Sequence, residues 1–247
     1  MSTKLNGKVA LVTGGSRGIG AATALALAAE GADVAISYSA SAEKAQAVVK
    51  QLEAKGVRAA AFKADQADTA QVEGLIKSVV EKFGKLNILV NNAGVFVTGS
   101  LAEYDPKQLE RQYAINVGGV ITAVKAAAKV MPEGGRIINL GSVLGERIPM
   151  AGVTDYSATK FTVAGYTRGW ARELGARKIT VNTVQPGPIN TEMNPDEGDF
   201  AASLKTQVAL GRYGKPEEVA AAIAFLASPE ASYITGASLN VDGGMNA

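Results

Sequence analysis

The sequence predicts an α/β fold, a single doubly wound domain over residues 1–247 with about seven parallel strands and helices on both faces of the sheet. Short continuous apolar runs alternate along the chain with longer amphipathic stretches, and most connections between them are short. A glycine-rich turn joins the first apolar run to the first helix. The hydrophobic content of 47% is ample for a core, and the sequence shows no repeat or interdomain linker.

The first βαβ unit is predicted at residues 9–36. Residues 9–12 form a buried strand, residues 21–30 an Ala- and Leu-rich helix closed by Gly31, and the second strand begins at Val34. The glycines between strand and helix permit a tight turn and close approach of a pyrophosphate, to which the helix presents its N–H groups. A glycine-rich turn without a ligand is the alternative. The predicted contacts are Gly14, Ser16, Arg17, Gly18, Ile19 and Gly20.

The end of the second strand indicates which dinucleotide is used. An NAD site usually has an acidic residue about 20 positions beyond the glycines, where it binds the ribose 2′-OH. Here the strand ends in Ser37, Tyr38 and Ser39, without an acid. Hydroxyls together with Arg17 suit a 2′-phosphate, so we predict NADP(H). A solvated surface charge is the alternative for Arg17.

The third strand, residues 57–62, follows a helix at 43–55 and leads to Asp65 and Gln66. Ligands bind at the carboxyl ends of strands in open α/β sheets, so these two residues are expected to contact the adenine. An equally good interpretation is that Asp68 or Thr69 caps the next helix, predicted at 71–83.

The fourth strand, residues 87–90, leads to Asn92, Ala93 and Gly94. These small residues leave space beside a bound nucleotide, and the amide can tie the turn to the central strands. The next helix is predicted at 106–131. Asn116 lies in its middle, where asparagine is unfavourable and needs a partner or a role.

The remaining elements are predicted from the same patterns. They are a strand at 135–140, a helix at 155–176, a strand at 179–184, a helix at 216–227 and a strand at 239–241. Residues 189–214 are polar, long for a connection and predicted to form a substrate lid, with a short helix at 204–208.

The proton-transfer residues are predicted partly by what the chain lacks. It contains no histidine and no cysteine, so a catalytic proton must move through Tyr, Lys, Asp, Glu, Ser or water. Tyr156 and Lys160 share one helix face, just after the strand that ends at Ser142. The lysine ammonium and an oxidised nicotinamide are expected to lower the tyrosine pKa from about 10 and make the phenol a general acid/base.

The residues near Tyr156 are predicted to have supporting roles. Ser142 is predicted to hydrogen-bond the substrate oxygen. Lys160 is also predicted to bind the nicotinamide ribose, and Asn116 to hold a water that links Lys160 to solvent.

Several function classes are disfavoured. The net charge is +2 without clustered basic residues, which gives no footprint for nucleic acid or an anionic membrane. Cys- or His-bound zinc is excluded, and no metal site is expected. The N-terminus lacks an apolar signal region and no run reaches about 18 apolar residues, so a soluble cytoplasmic protein is expected.

Taken together, these motifs resemble those of single-domain short-chain dehydrogenases/reductases over essentially the whole chain. The motifs are Thr13–Gly20, Asn91–Gly94, Asn116, Ser142, Tyr156 with Lys160, and Pro186–Gly187 followed by Thr191. The resemblance implies a Rossmann fold and a catalytic tetrad of Asn116, Ser142, Tyr156 and Lys160. It also implies cofactor contacts at Pro186, Gly187, Ile189 and Thr191, and a homotetramer.

Two substrate classes and one non-enzymatic role stay open. The chain resembles NADPH-dependent carbonyl reductases and 3-oxoacyl-carrier-protein reductases. The latter dock an acidic carrier on basic side chains, whereas this chain has Glu133 ahead of Arg136, which favours free ketones and aldehydes. A catalytically silent NADP-binding regulator is a third possibility. The predicted substrate pocket is apolar, formed by Val143, Leu144, Met150, Val153 and Met193.

Overall fold

A computed structural model of the protein describes residues 3–247, so Met1 and Ser2, at the start of the predicted domain, lie outside it. Its centre is a sheet of seven parallel strands in the order β3-β2-β1-β4-β5-β6-β7, which confirms the predicted fold class. The strands are Val9–Val12 (β1), Asp33–Tyr38 (β2), Ala59–Lys63 (β3), Ile88–Asn91 (β4), Arg136–Leu140 (β5), Thr180–Pro186 (β6) and Ser238–Val241 (β7).

The helices cover both faces of this sheet. They are Gly18–Ala29 (α1), Ala42–Glu53 (α2), Thr69–Phe83 (α3), Pro106–Tyr113 (α4), Gly119–Val130 (α5), Thr154–Leu174 (α6), Gly198–Lys205 (α7) and Pro216–Ala227 (α8). One core layer lies between the sheet and α1, α2 and α8, and the other lies under α3, α5 and α6. Alternate residues of β1 point into opposite layers, and all four are buried, as a central parallel strand requires.

The strand order reverses between β1 and β4, which pair directly. Loops that follow these two strands diverge to opposite sides and open a crevice at the carboxyl edge, the usual ligand position in this fold class. The glycine turn after β1 and the loop after β4 therefore face each other.

The predicted helix at 106–131 is interrupted. α4 and α5 are separated by a π-helical turn at Ala114–Gly118, which contains Asn116. Hydrophobic periodicity runs smoothly through both helices and gives no sign of the turn. Such turns are frequent at functional sites because they re-aim a side chain.

The predicted short helix at 204–208 was wrong in its boundaries. The helix of the lid segment is α7, and it ends at Lys205. Its buried residues are Ala201 and Leu204, so the apolar face begins earlier than the Leu204-to-Val208 pattern suggests. Within residues 3–247, no helix is both long and apolar enough to cross a membrane.

Candidate active site

A cleft of about 710 Å³ runs along the carboxyl edge of the sheet. With the exception of Asn116, every residue predicted for the cofactor, catalytic and substrate sites lines it. It extends from the end of β2, across the glycine turn and β4, to Tyr156 and the lid. Residues far apart in sequence meet here because parallel strands bring their carboxyl ends to one edge.

The glycine turn is held tightly against the loop after β4. The Thr13 hydroxyl accepts hydrogen bonds from the backbone N–H groups of Asn92 and Ala93, both at 3.0 Å. The Asn92 amide in turn donates to the carbonyl oxygens of Thr13, at 2.8 Å, and Gly14, at 3.1 Å. The predicted tie between the turn and the central strands is therefore present.

The turn leaves space that suits a dinucleotide. Gly14 and Gly18 have positive φ angles of 65° and 53°, which other residues rarely adopt. A Cβ on Gly20 would lie 2.4 Å from the Gly14 carbonyl oxygen, so the first helical turn packs on the loop only with glycine there. The backbone and the N-terminus of α1 thus form a cradle that fits a pyrophosphate.

Ser37 and Arg17 both line the cleft, and each makes a contact within the chain that the sequence analysis did not predict. The buried Ser37 hydroxyl accepts a hydrogen bond from Gly14 N–H at 3.2 Å, so it supports the turn. The Arg17 guanidinium forms an ion pair with Glu192 of the lid at 2.9 Å. Tyr38 and Ser39 do line the cleft beside them.

Asp65 and Gln66 also line the cleft, and Asp68 caps α3 by accepting from Gln71 N–H at 3.0 Å. The capping interpretation is therefore confirmed for Asp68, and the adenine contact of Asp65 and Gln66 stays a prediction. Asp65 is held by Arg111 at 3.1 Å and by the Ala67 N–H, and these hydrogen bonds lower the pKa of its carboxyl group.

The catalytic corner is formed by Ser142, Tyr156 and Lys160. The buried Lys160 ammonium donates to the Leu140 carbonyl oxygen at 2.9 Å and lies 5.5 Å from the centre of the Tyr156 ring. The Ser142 hydroxyl accepts from Leu144 N–H at 3.1 Å, so its own proton is directed elsewhere. The three side chains all reach the cleft.

The prediction that Lys160 lowers the pKa of Tyr156 was wrong. Burial raises the pKa of the phenol to about 12, and only the Ser142 hydroxyl acts in the opposite direction. Burial also lowers the pKa of Lys160 to about 8, so its charge is itself disfavoured and offers the phenolate less support than predicted. A protonated tyrosine at neutral pH is a proton donor.

Asn116 lies behind this corner and joins two segments. Its side-chain oxygen accepts from Val95 N–H and its amide donates to the Val95 carbonyl oxygen, both at 2.9 Å. The amide also approaches the Thr159 hydroxyl at 3.3 Å. The side chain therefore fixes the loop after β4 against α6, the helix of Tyr156 and Lys160. The water relay from Lys160 stays a prediction.

The substrate end of the cleft is apolar. Besides the five predicted pocket residues, it includes three that the sequence analysis missed, namely Phe96, Phe200 and Met245. Phe96 contacts the Tyr156 ring edge to face, with centroids 4.6 Å apart. Only its position, two residues beyond the small Asn92–Gly94 stretch, hinted at this role.

The two ends of the segment predicted as a lid, residues 189–214, are joined to each other. Ile189 forms a bridge with Gly214, and Thr191 forms one with Asn194. A Cβ on Gly187 would lie 2.7 Å from Asp242 Cα, so the lid begins against the C-terminal segment. Met245 of that segment packs with Val143 and Leu204, which joins the C-terminus to the pocket.

The chain belongs to the short-chain dehydrogenase/reductase family, an oxidoreductase family. A family model described as enoyl-(acyl carrier protein) reductase matches residues 14–246. A solved short-chain dehydrogenase from Burkholderia cenocepacia J2315, in complex with NADP, superposes with a TM-score of 0.98 at 51% identity, covering 99% of this chain and 100% of that one.

Two curated relatives are similar over nearly their full length. The cyclic-di-GMP-binding biofilm dispersal mediator protein of Escherichia coli (strain K12) is 43% identical over 241 residues, covering 98% of both chains. The 3-oxoacyl-[acyl-carrier-protein] reductase FabG of Staphylococcus aureus (strain Mu50) is 44% identical over 241 residues, covering 96% of this chain and 98% of that protein.

Proposed function

We propose that the protein catalyses the NADPH-dependent reduction of a ketone or aldehyde to an alcohol. One observation supports this most strongly. Ser142, Tyr156 and Lys160 open into the same cleft as the glycine cradle, and an apolar pocket adjoins them. This places proton-transfer groups, dinucleotide cradle and substrate space together.

NADP(H) is the cofactor predicted from the sequence, and the matched structures confirm it. The Burkholderia neighbour is a complex with NADP, and a protein from a metagenomic library, 52% identical, is a complex with NADPH. In this chain, the cradle after β1 and the acid-free end of β2 fit such a group. The bound cofactor supplies the hydride.

The chain's own residues supply the proton and the positioning. The Tyr156 phenol, which burial keeps protonated at neutral pH, donates its proton to the substrate oxygen. The Ser142 hydroxyl donates a hydrogen bond to the same oxygen. Lys160, fixed on the Leu140 carbonyl, binds the ribose and restores the phenol proton. Pro186, Gly187, Ile189 and Thr191 hold the nicotinamide end.

Free carbonyl compounds are the favoured substrates because the pocket is apolar and the segment ahead of Arg136 includes a carboxylate. Glu133 is exposed and forms an ion pair with Lys178. A carboxylate there repels an acidic carrier. The alternative, a 3-oxoacyl-carrier-protein reductase, is supported by the Staphylococcus relative.

A substrate panel with NADPH tests the proposal. We expect turnover of small and medium free ketones with kcat/KM at least about tenfold above that for a carrier-bound 3-oxoacyl thioester. The CoA thioester of the same acyl group is the matched control, since it carries the same reacting carbon without the protein. Equal or higher kcat/KM for the carrier thioester would favour the alternative.

Glu133→Lys sharpens the same test. If the carrier docks on this face, the variant raises kcat/KM for the carrier thioester and leaves the CoA thioester unchanged. We expect this rise, because the variant removes the repulsion by Glu133. An unchanged value for the carrier thioester would remove Glu133 as an argument against the carrier. A regulator without turnover, suggested by the Escherichia relative's name, would consume no NADPH with any substrate.

We also propose a cytoplasmic homotetramer. Exposed apolar side chains on α5 and α6, namely Val130, Phe161 and Tyr166, and others near the C-terminus, namely Phe225 and Leu239, suit two interfaces between copies. Light scattering after size exclusion tests it, and a monomer of 25.3 kDa would contradict it.

A further inference from the structure

An ion triad of Arg17, Lys44 and Glu192 lies at the exposed end of the cleft. Arg17 and Glu192 line the cleft, and Lys44 adjoins it through its ion pair with Glu192. One oxygen of the Glu192 carboxylate lies 2.9 Å from Arg17 Nη1, and the other lies 2.7 Å from Lys44 Nζ. The two cations come from the glycine turn and the first turn of α2, whereas the carboxylate comes from the lid, about 150 residues or more away in sequence. A single anion therefore joins the two cations.

The position of the triad is the position of the 2′-phosphate in the proposed function. In dinucleotide folds, the ribose 2′ group lies near the end of the second strand, where an acid binds a hydroxyl or an arginine accommodates a phosphate. Here Arg17, Ser39 and Ser41 line that end of the cleft, and so does Glu192. The lid carboxylate thus occupies the cations that a 2′-phosphate needs.

We propose that Lys44 and Glu192 together determine the preference for NADPH, Lys44 as a second ligand of the 2′-phosphate and Glu192 as its internal competitor. This rests on the proposed NADP(H)-dependent function. A phosphate has more acceptor oxygens than a carboxylate and a charge between −1 and −2, so it can replace Glu192 on both cations. A cofactor without the 2′-phosphate leaves the triad intact.

Solvent exposure keeps Glu192 a weak competitor of a 2′-phosphate for Arg17 and Lys44. All three side chains are about half exposed, and water and salt screen their attraction. The hydrogen bonds from Lys44 and then Arg17 lower the pKa of Glu192, so the carboxylate is charged at neutral pH. The lid therefore always presents a competing anion, but not one that blocks the site.

The test measures dissociation constants, not turnover. NADPH and NADH are titrated into wild type and Glu192→Gln, which removes the charge but keeps the size. Removing the competitor is expected to tighten NADPH binding by about 3- to 10-fold, the range for two exposed ion pairs, and to change NADH binding by less than about twofold. Adenosine 2′,5′-bisphosphate, compared with AMP, is expected to show the same difference without the nicotinamide.

Lys44→Met tests the attractive partner. It is expected to weaken NADPH and adenosine 2′,5′-bisphosphate by about 3- to 10-fold and to leave NADH and AMP unchanged. In the double variant, the gain from Glu192→Gln becomes smaller, since only Arg17 is then released. Glu197→Gln is the matched control. Glu197 lines the same cleft but forms no ion pair within residues 3–247, so its effect on NADPH is expected to be smaller.

The outcomes distinguish failure of the proposed function from failure of the roles proposed for Lys44 and Glu192. A wild-type protein that binds neither dinucleotide overturns the proposed function and, with it, this inference. A wild-type protein that prefers NADPH, with a preference that Glu192→Gln leaves unchanged or reduces, overturns the inference alone. Equal effects of Glu197→Gln and Glu192→Gln would also overturn it, because a general charge effect would then suffice.

Discussion

The two ends of the cleft are stabilised by different kinds of interaction. At the catalytic end, the groups are buried and fixed by short hydrogen bonds, such as that from Lys160 to the Leu140 carbonyl. At the other end, Arg17, Lys44 and Glu192 are half exposed and joined by ion pairs. Loss of a partner therefore costs more at the buried end, where no water replaces it.

This difference between buried hydrogen bonds and exposed ion pairs matches the positional precision that each end needs. Proton transfer depends on groups placed within a few tenths of an ångström. A hydrogen-bond network that runs from the buried Ser142 and Gln185 to the exposed Glu146 and Asn240 supports Ser142. The Ser142 N–H donates to Gln185 at 3.3 Å, and Glu146 accepts from Gln185 at 2.7 Å and from Asn240 at 2.9 Å. Cofactor discrimination needs only charge, so exchangeable surface pairs are sufficient there.

A large effect that distinguishes the two ends is expected from Ser142→Ala. Removing the hydroxyl that faces the substrate oxygen should lower kcat by about 10²- to 10³-fold, a range typical of one lost oxyanion donor. Steady-state kinetics with NADPH and the best ketone measure it. Ser39→Ala at the exposed end is the control, and a similar loss of kcat there would break the comparison.

Asn116→Ala is expected to lower the free energy of unfolding by about 1–3 kcal/mol, because the N–H and carbonyl of Val95 lose their partners in a buried setting. Urea denaturation measures this. Asn116→Asp keeps the acceptor for the Val95 N–H but places a buried carboxylate against the Val95 carbonyl oxygen, so it should also be less stable than wild type. If Asn116→Ala were as stable as wild type, the tether would have no role in stability.

The pH dependence of stability should report the burial of Lys160. Its pKa is lowered to about 8 in the folded protein, so between about pH 8 and 10.5 the unfolded chain binds more protons and stability contributed by this group rises with pH. The opposite contribution of Tyr156 begins only above about pH 10. Wild type should therefore gain stability relative to Lys160→Met between pH 7.5 and 9.5. A constant difference would contradict the buried ammonium.

The smallest effect is expected for Glu192→Gln without nucleotide. Its ion pairs are exposed, so the melting temperature should change by less than about 2 °C. A shift in melting temperature as large as that of Asn116→Ala, measured by scanning calorimetry, would show that the triad stabilises the fold. The exposed end would then contribute as much to stability as the buried end.

The sequence was sufficient for the sheet, the cleft and the catalytic corner, because strand ends in a parallel sheet meet at one edge. It was insufficient for features set by tertiary contacts. The π turn at Asn116 leaves the hydrophobic period unchanged, and the ion pair of Arg17 depends on a glutamate 175 residues away. Phe96 gave no periodic signal, since it lies in an irregular loop.

Tyr156 as proton donor is the central claim, and single-turnover hydride transfer tests it most directly. Loss of NADPH fluorescence is followed after rapid mixing of the saturated enzyme–NADPH complex with excess ketone, for wild type and Tyr156→Phe. The account predicts a rate lower by about 10²- to 10⁴-fold, with an unchanged NADPH dissociation constant. A Tyr156→Phe variant that transfers hydride at the wild-type rate would contradict it.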